Sequence, residues 1–539
     1  MEEKPIISKS RSKKTRSREK KVGKATAQKK SWVDSPWVGA LLAGILWLVS
    51  VGLLDVGRLI MTPQQWSSVP YFLGKGSFLL VGLLVCVLFL GLVRPERLRQ
   101  NSSILLLAAI SLASLLPAKL TLFVAAKFGL TDPQIAGFLL PFTMAPLLAT
   151  ILLSGVAGVA VGMWTSLVMC VVVDGGIPLL LAGLAATVVC AVLAQRVRTR
   201  SKVIRIGLAA GLAQVTCVFG MTILDVPSAE SMTVMSQATA CLFSGFLGAV
   251  LALLILPAFE ATSRITTDIT LLELTDLSHP LLQRMALEAP GTYHHSLVVA
   301  NLALAAAEAI GENTLAARVC SYFHDVGKLS KPEFFTENIG FQHNPHDGLP
   351  PSMSALIITA HVKEGVSLGM HHKLPRAVID VIREHHGTSL LSYFHDKAKS
   401  QLEFELGKNG NSTGADKNAI EEWNFRYPGP KPSTLVSGII SLADPVEAAS
   451  RSLEKTTPAH IEGLVDEIVT ARILDGQLDN CALTMSQIMR IKASFVFALT
   501  SMLHGRTPYP KDENADKQSA KPADAGPAPA ATPRSATHG

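Results

Sequence analysis

The sequence predicts an all-α protein in two parts, a polytopic transmembrane helical block followed by a soluble all-α domain. Three observations carry this. Residues 37 to about 258 are nearly continuous apolar segments, several of which reach the ~20 residues that a helix needs to cross a ~30 Å hydrocarbon layer. The chain is 48% hydrophobic with a mean hydropathy of +0.34, yet residues outside that block have ordinary soluble composition. In the C-terminal half apolar residues recur at helical spacing, and strand-like alternation is largely absent.

The first 36 residues are polar and basic and read as a disordered tail. Much of the formal net charge of +7 lies there, from Lys9 to Lys30. Basic residues before a first span set its orientation and touch anionic lipid, so membrane lipid is an expected partner and a nucleic-acid polymer is not. The first apolar segment is long and lacks a good cleavage site, which argues against a removable signal peptide.

Apolar segments fall at roughly 37–56, 75–93, 103–126, 135–153, 156–174, 177–195, 204–223 and 236–258, about eight spans, with seven as the alternative. Charge favours eight. Arg94, Arg97 and Arg99, and then Arg196, Arg198, Arg200 and Lys202, all fall in inner loops, while the outer loops near 128–134 and 224–235 hold no Lys or Arg. An even count also leaves the C-terminal domain on the same, cytoplasmic, side as the basic tail. Charge within the spans is sparse: Asp55 and Arg58 end the first span and Asp174 sits at a turn. A coupled transporter usually needs such groups, so the block reads as an anchor or a sensor.

Residues 259–290 read as a linker into the helical domain, which runs to about 506. Helices are expected from Thr292 to Ile310, closed by Gly311, and over 314–325, then at about 352–371, 375–386, 433–452 and 482–503. Residues 330–351 read as a long Pro/Gly loop and 396–431 as an insertion-like loop. The Pro/Ala/Lys-rich end, 507–539, reads as disordered.

All 15 histidines follow residue 278, and 12 lie between His279 and His395. Five places offer metal ligands in the order H…HD…H…HH…D: His295, His324-Asp325, His361, His385-His386 and Asp444. One such histidine alone is usually structural; the ordered set is the signal. One carboxylate can bridge two divalent ions while histidines complete each shell, and imidazoles with two carboxylates suit Fe, Mn or another transition metal. The seven cysteines include no CxxC pair, which argues against a zinc ribbon or a disulfide framework. There is no Walker-type phosphate loop. His343, His346 and Asp347 read as loop residues, and His371-His372 as a helix C-terminal cap.

These motifs resemble the HD-domain metal-dependent phosphohydrolases and, more narrowly, the membrane-bound 7TM-HD family of PgpH-type cyclic di-AMP phosphodiesterases. The resemblance rests on Glu288-Ala-Pro-Gly-Thr-Tyr-His-His-Ser296, His324-Asp-Val-Gly-Lys-Leu329, Asn344-Pro-His-Asp347, Ser354-Ala-Leu-Ile357, His385-His-Gly-Thr388, Phe425-Arg-Tyr-Pro-Gly-Pro-Lys-Pro432 and Leu442-Ala-Asp444, in family order over about 265–455. It implies a two-metal site, with His295, His324, Asp325 and Asp444 on one ion and Asp325, His361, His385 and His386 on the other. His295 is favoured over His294 because the ligand usually precedes Ser in such a motif. The implied reaction opens a cyclic dinucleotide to the linear form (cyclic di-AMP to pApA) by metal-activated water. Asp325 is then catalytic, Lys328 offsets phosphoryl charge, and Arg426 and Lys431 contact the second phosphate. The implied location is the inner membrane, and homo-oligomerisation is left open. Family members usually carry a large extracellular domain between the first two spans; here only about twenty residues, 57–74, separate them. The rival readings are an HD enzyme for another nucleotide, a receptor that binds a cyclic dinucleotide without cleaving it and, least favoured, a transporter.

Overall fold

A computed structural model describes residues 35–61, 69–98, 100–129, 133–225, 231–339, 343–408, 421–453 and 457–504. Residues 1–34 of the predicted N-terminal tail, the predicted C-terminal tail, Arg99 and the side chains of Asp55, Arg58 and Arg97 lie outside what it describes. Among the described residues the fold is helical with no strand, and the only pairing of strand type is an isolated bridge between Leu390 and Arg426.

The membrane block comprises α1 (Pro36–Met61), α2 (Val69–Val93), α3 (Asn101–Lys127), α4 (Pro133–Phe138), α5 (Met144–Leu152), α6 (Gly155–Val172), α7 (Ile177–Leu193), α8 (Arg200–Asp225) and α9 (Ser231–Ser263). Five helices are long and apolar enough to cross a membrane, and the apolar stretches Trp37–Gly52 and Ile177–Leu193 are shorter. This apolar helical block makes the chain a membrane protein.

The expected single span at 135–153 is instead a broken pair, α4 and α5. Pro141 lies in the gap, where it supplies no N–H and resists helix. Open backbone at membrane depth is tolerated only when protein buries it and satisfies its polar groups. Here Ser244 of α9 donates to the carbonyl of Leu140, and Thr143 donates to the carbonyl of Gly245 at 3.2 Å. Helix α5 is buried along almost its whole length. One charge escapes the sequence reading: the Lys119 ammonium, inside α3, is buried with no hydrogen-bond partner among the described residues. At another edge of the block Lys75 pairs with Asp174 and donates to the carbonyl of Val171 at 3.1 Å.

Helices α8 and α9 cross at glycines. A Cβ on Gly245 would lie 2.3 Å from the Gly207 carbonyl oxygen, so only hydrogen fits there.

The predicted linker is structured. Helix α9 runs on to Ser263 and is followed by α10 (Asp268–Glu273) and α11 (Pro280–Glu288). Glu260 accepts from the Thr267 amide at 3.0 Å and from the hydroxyls of Thr267 and Thr270, which ties the end of α9 to α10. Arg200 grips Glu273 with two bonds of 2.8 and 3.2 Å, and Arg198 lies 3.8 Å from Asp268. Ile269 packs in the core of the membrane block, while Leu271, two residues on, packs in the core of the second domain.

That second domain contains α12 (Pro290–Ile310), α13 (Thr314–Phe323), α14 (Pro351–His371), α15 (Arg376–Glu384), α16 (Ser392–Lys408), α17 (Leu435–Ser450), α18 (Pro458–Leu474) and α19 (Met485–His504). Two differ from the sequence reading. Helix α16 occupies the start of the expected 396–431 loop, and α18 was not anticipated. Both have weak helical amphipathicity, the signal on which such a reading rests. The predicted loop at 330–351 contains short 3-10 turns and the single-turn helix Thr336–Ile339. Asn313 caps α13 by accepting from the amides of Leu315 and Ala316 at 3.1 and 3.0 Å, and it donates to Asp268 of α10 at 3.0 Å.

We expect Gly245→Ala to lower the thermal midpoint of the detergent-solubilised protein, through a stability loss of ~1–3 kcal/mol typical of overpacking. Gly220→Ala, where nothing lies within 4 Å of the added carbon, should leave the midpoint unchanged or raise it slightly.

Candidate metal centre

Each sequence-predicted ligand is brought to one buried centre by a different local device. His295 is on the inner face of α12 and buried, whereas His294 is exposed. His324 is the C-cap of α13, and Asp325 starts the 3-10 turn Val326–Ser330. His361 lies in the middle of α14, His385 is the C-cap of α15 with His386 next to it, and Asp444 is on α17.

Two groups of potential ligand atoms result, each within 4.8 Å: His295, His324, Asp325 and Asp444, and Asp325, His361, His385 and His386. Asp325 belongs to both. Its Oδ2 lies 3.4 Å from Nε2 of His295 and of His324, and its Oδ1 lies 3.4 Å from Nε2 of His361 and 3.6 Å from that of His385. Asp444 Oδ1 is 3.2 Å from His295 Nε2, and its Oδ2 is 3.4 Å from His386 Nδ1.

The imidazoles are oriented from behind. Nδ1 of His324 donates to the Ser321 carbonyl at 2.8 Å, that of His361 to Ile358 at 2.6 Å, and that of His385 to Ile382 at 2.9 Å. A carbonyl can only accept, so these bonds place the proton on Nδ1 and leave the Nε2 lone pair facing inward. His295 Nδ1 bonds the carboxylate of Glu447, which also accepts from Arg451 at 2.8 Å. Sequence reading missed Glu447, although it lies three residues after Asp444 on the same helical face.

The donor set fits divalent metal. Nε2 of His295, Nε2 of His324 and both Asp325 oxygens are buried with no hydrogen-bond partner. Leaving such groups unanswered is costly, and cations satisfy all of them at once.

The electrostatics agree with this. Burial would raise the Asp325 carboxyl, but Lys328 and His324, with His295 and His385, hold it well below the usual carboxylate range. Burial pushes His324 and His361 down to about 4, against the opposing pull of Asp325. His386 is also held well below its ordinary value, by burial and by His385. Neutral imidazoles are what a metal requires. For His295 burial acts downward, and Asp325, Asp444 and Glu447 outweigh it and raise the pKa.

Close backbone approach sets the register. A Cβ on Gly327 would lie 1.8 Å from the His361 carbonyl oxygen, so glycine alone lets the turn after Asp325 dock on α14. Glu384 anchors the other side by accepting from the Ser433 amide and hydroxyl at 2.9 and 2.8 Å.

The remaining predicted site residues are engaged by protein groups. The Lys328 ammonium is 2.8 Å from Asp325 Oδ2 and 2.7 Å from Glu337. Arg426 bonds Asp475 at 2.9 and 3.0 Å, Glu422 at 2.6 Å and the Thr388 carbonyl at 2.7 Å. Lys431 pairs with Asp479 at 3.0 Å. His346 is buried and bonds the Phe334 carbonyl at 2.8 Å, away from the ligand groups. Tyr427, next to Arg426, stacks on His386 with ring centroids 4.1 Å apart.

Comparison with known proteins agrees with this division. Residues 70–267 match the family described as 7TM receptor with intracellular HD hydrolase, and residues 292–449 match the HD domain family. The chain is 38% identical over 312 residues to the cyclic-di-AMP phosphodiesterase PgpH of Bacillus subtilis, covering 58% of this chain and 42% of that protein. It is 31% identical over 457 residues to PgpH of Listeria monocytogenes, covering 84% of this chain and 60% of that protein. The chain thus spans about half the length of these relatives. A crystal structure of the L. monocytogenes PgpH HD domain is 40% identical, covering 42% of this chain and 100% of that one, with a TM-score of 0.38.

Two substitutions test the centre by metal binding alone. Glu447→Gln should weaken divalent-metal affinity about 10–100-fold by titration, because His295 loses its anionic anchor. Gly327→Ala should lower metal stoichiometry and the thermal midpoint together.

Proposed function

We propose that this chain, which belongs to the membrane-bound 7TM-HD family, hydrolyses a cyclic dinucleotide at the buried centre, with cyclic di-AMP opened to linear pApA as the favoured reaction. The observation that carries this reading is Asp325, one carboxylate common to two ligand groups. The names of the two PgpH relatives support the substrate class.

In this reading His295, His324, Asp325 and Asp444 hold one divalent ion, Fe or Mn, and Asp325, His361, His385 and His386 hold the second. Bound there, the ions supply Lewis acidity and a water acidic enough to ionise near neutral pH. The protein's own part is to hold that constellation fixed. The Nδ1 contacts to Ser321, Ile358 and Ile382 keep the imidazoles aimed. Lys328, ion-paired with Asp325 and hydrogen-bonded to Glu337, offsets the carboxylate charge where a phosphodiester must enter. Arg426 and Lys431 serve by holding the Tyr427–Pro432 loop against Asp475 and Asp479. The structure supports that role better than direct phosphate contact.

The proposed organisation is a basic tail (1–36), a membrane domain (37–258), a cytoplasmic HD domain (259–506) and a C-terminal tail (507–539). The proposed location is the inner membrane, with the HD domain on the side of the basic loops Arg94–Arg99 and Arg196–Lys202.

The test uses the full chain in detergent, loaded with Mn²⁺ and given cyclic di-AMP and cyclic di-GMP. Turnover of cyclic di-AMP is expected, with a loss on the order of a thousandfold or more in Asp325→Ala. Bound metal in that variant should fall below the wild-type value. Preference for cyclic di-GMP would change the substrate. Tight binding of either nucleotide with no turnover by metal-loaded wild type would replace the enzyme by a receptor.

A further inference from the structure

A cyclic dinucleotide carries two phosphodiester charges, so its site needs cations beyond those that hold the chain together. Around the centre three are already committed. Lys328 is held by Asp325 and Glu337, Arg426 by Asp475 and Glu422, and Lys431 by Asp479. Arg472, in the last turn of α18, is different. Its Nη1 donates to the backbone carbonyl of His386 at 3.2 Å, and among the described residues no carboxylate stands within ion-pairing distance of it.

Arg472 is only partly exposed. A half-buried guanidinium without an anionic partner is an expensive arrangement. Burial pulls its pKa below the ordinary value, and the fields of Asp444, Tyr427 and Asp475 do not make up the difference. Its place is specific. It holds the carbonyl of one ligand residue, His386, and feels the charge of another, Asp444. Tyr427, which stacks on the His386 ring, lies within the same field. A guanidinium has five N–H donors in a planar fork that matches phosphate oxygens, and one of them is used.

We infer that the Arg472 guanidinium binds a phosphate oxygen of the cyclic dinucleotide, an assignment that rests on the hydrolase reading above. Arg472 supplies the charge that the sequence reading sought in Arg426 and Lys431.

The experiment compares full-length wild type, Arg472→Gln and Arg472→Lys, each in detergent and loaded with Mn²⁺. Glutamine removes the charge, and its shorter side chain gives up the bond to the His386 carbonyl, which is not itself a ligand atom, so bound metal should match wild type. The KM for cyclic di-AMP should rise about 10–100-fold in Arg472→Gln, the range for a hydrogen bond to a charged group, with kcat changed less. Arg472→Lys should recover part of the loss. An unchanged KM overturns the assignment. So does metal loss in step with activity, which would mark Arg472 as a support for His386 alone. Equilibrium binding of labelled cyclic di-AMP to the same proteins separates the two claims. Wild type that binds without turnover removes the hydrolase reading and leaves the Arg472 comparison valid, with weaker binding by Arg472→Gln still expected. Wild type that does not bind overturns both.

Discussion

A fully buried carboxylate is tolerated only where its charge is answered, and Asp325 has one cation beside it while both its oxygens accept no hydrogen bond from the protein. Lys328 lies against one oxygen, and imidazoles from α12, α13, α14 and α15 converge on the pair. Much of the second domain follows from that demand. Four helices must stop or cross within a few ångströms of one point, so two of the histidines are C-caps and a third comes from mid-helix. The helix ends then lend their carbonyls to the rings. The bonds that close the helices are also the bonds that aim the imidazoles.

The same crowding explains the surrounding charge pattern. Each carboxylate near the centre has its own counter-cation or donor: Glu337 has Lys328, Glu447 has His295 and Arg451, and Glu384 has Ser433. Buried charge is retained where it is paired and hydrogen-bonded. The result is a rigid polar shell around a small group of nitrogen and oxygen atoms that the protein leaves unsatisfied.

Much of this was legible in the sequence because the ligands are chemically conspicuous. Histidines absent from the first half and ordered H…HD…H…HH…D in the second point to one centre before any fold is known. The apolar block was equally plain, since a helix of ~20 apolar residues matches the thickness of a bilayer's hydrocarbon core. What escaped depends on tertiary partners. The break between α4 and α5 is stable because Ser244, about a hundred residues away, satisfies a carbonyl there. Lys119 is hidden within an apolar run. Arg426 and Lys431 looked available because Asp475 and Asp479 lie almost fifty residues downstream. Helices α16 and α18 lack the strong one-sided apolar pattern that marks α15. Glu447 left a faint trace in its spacing from Asp444, and Arg472 left none.

The junction between the two blocks carries a last consequence. Helix α10 gives Ile269 to one hydrophobic core and Leu271 to the other, and its acidic residues meet Arg198 and Arg200 on one side and Asn313 on the other. Asn313 opens α13, and α13 closes on His324. The junction and the ligand cluster therefore lie at opposite ends of one ten-residue helix, about 15 Å long, whose first cap is tied to α10. In engineering terms the connection is a keyed coupling. With a single residue between them, Ile269 and Leu271 fix the distance from one core to the other, and a longer spacer there would break that register.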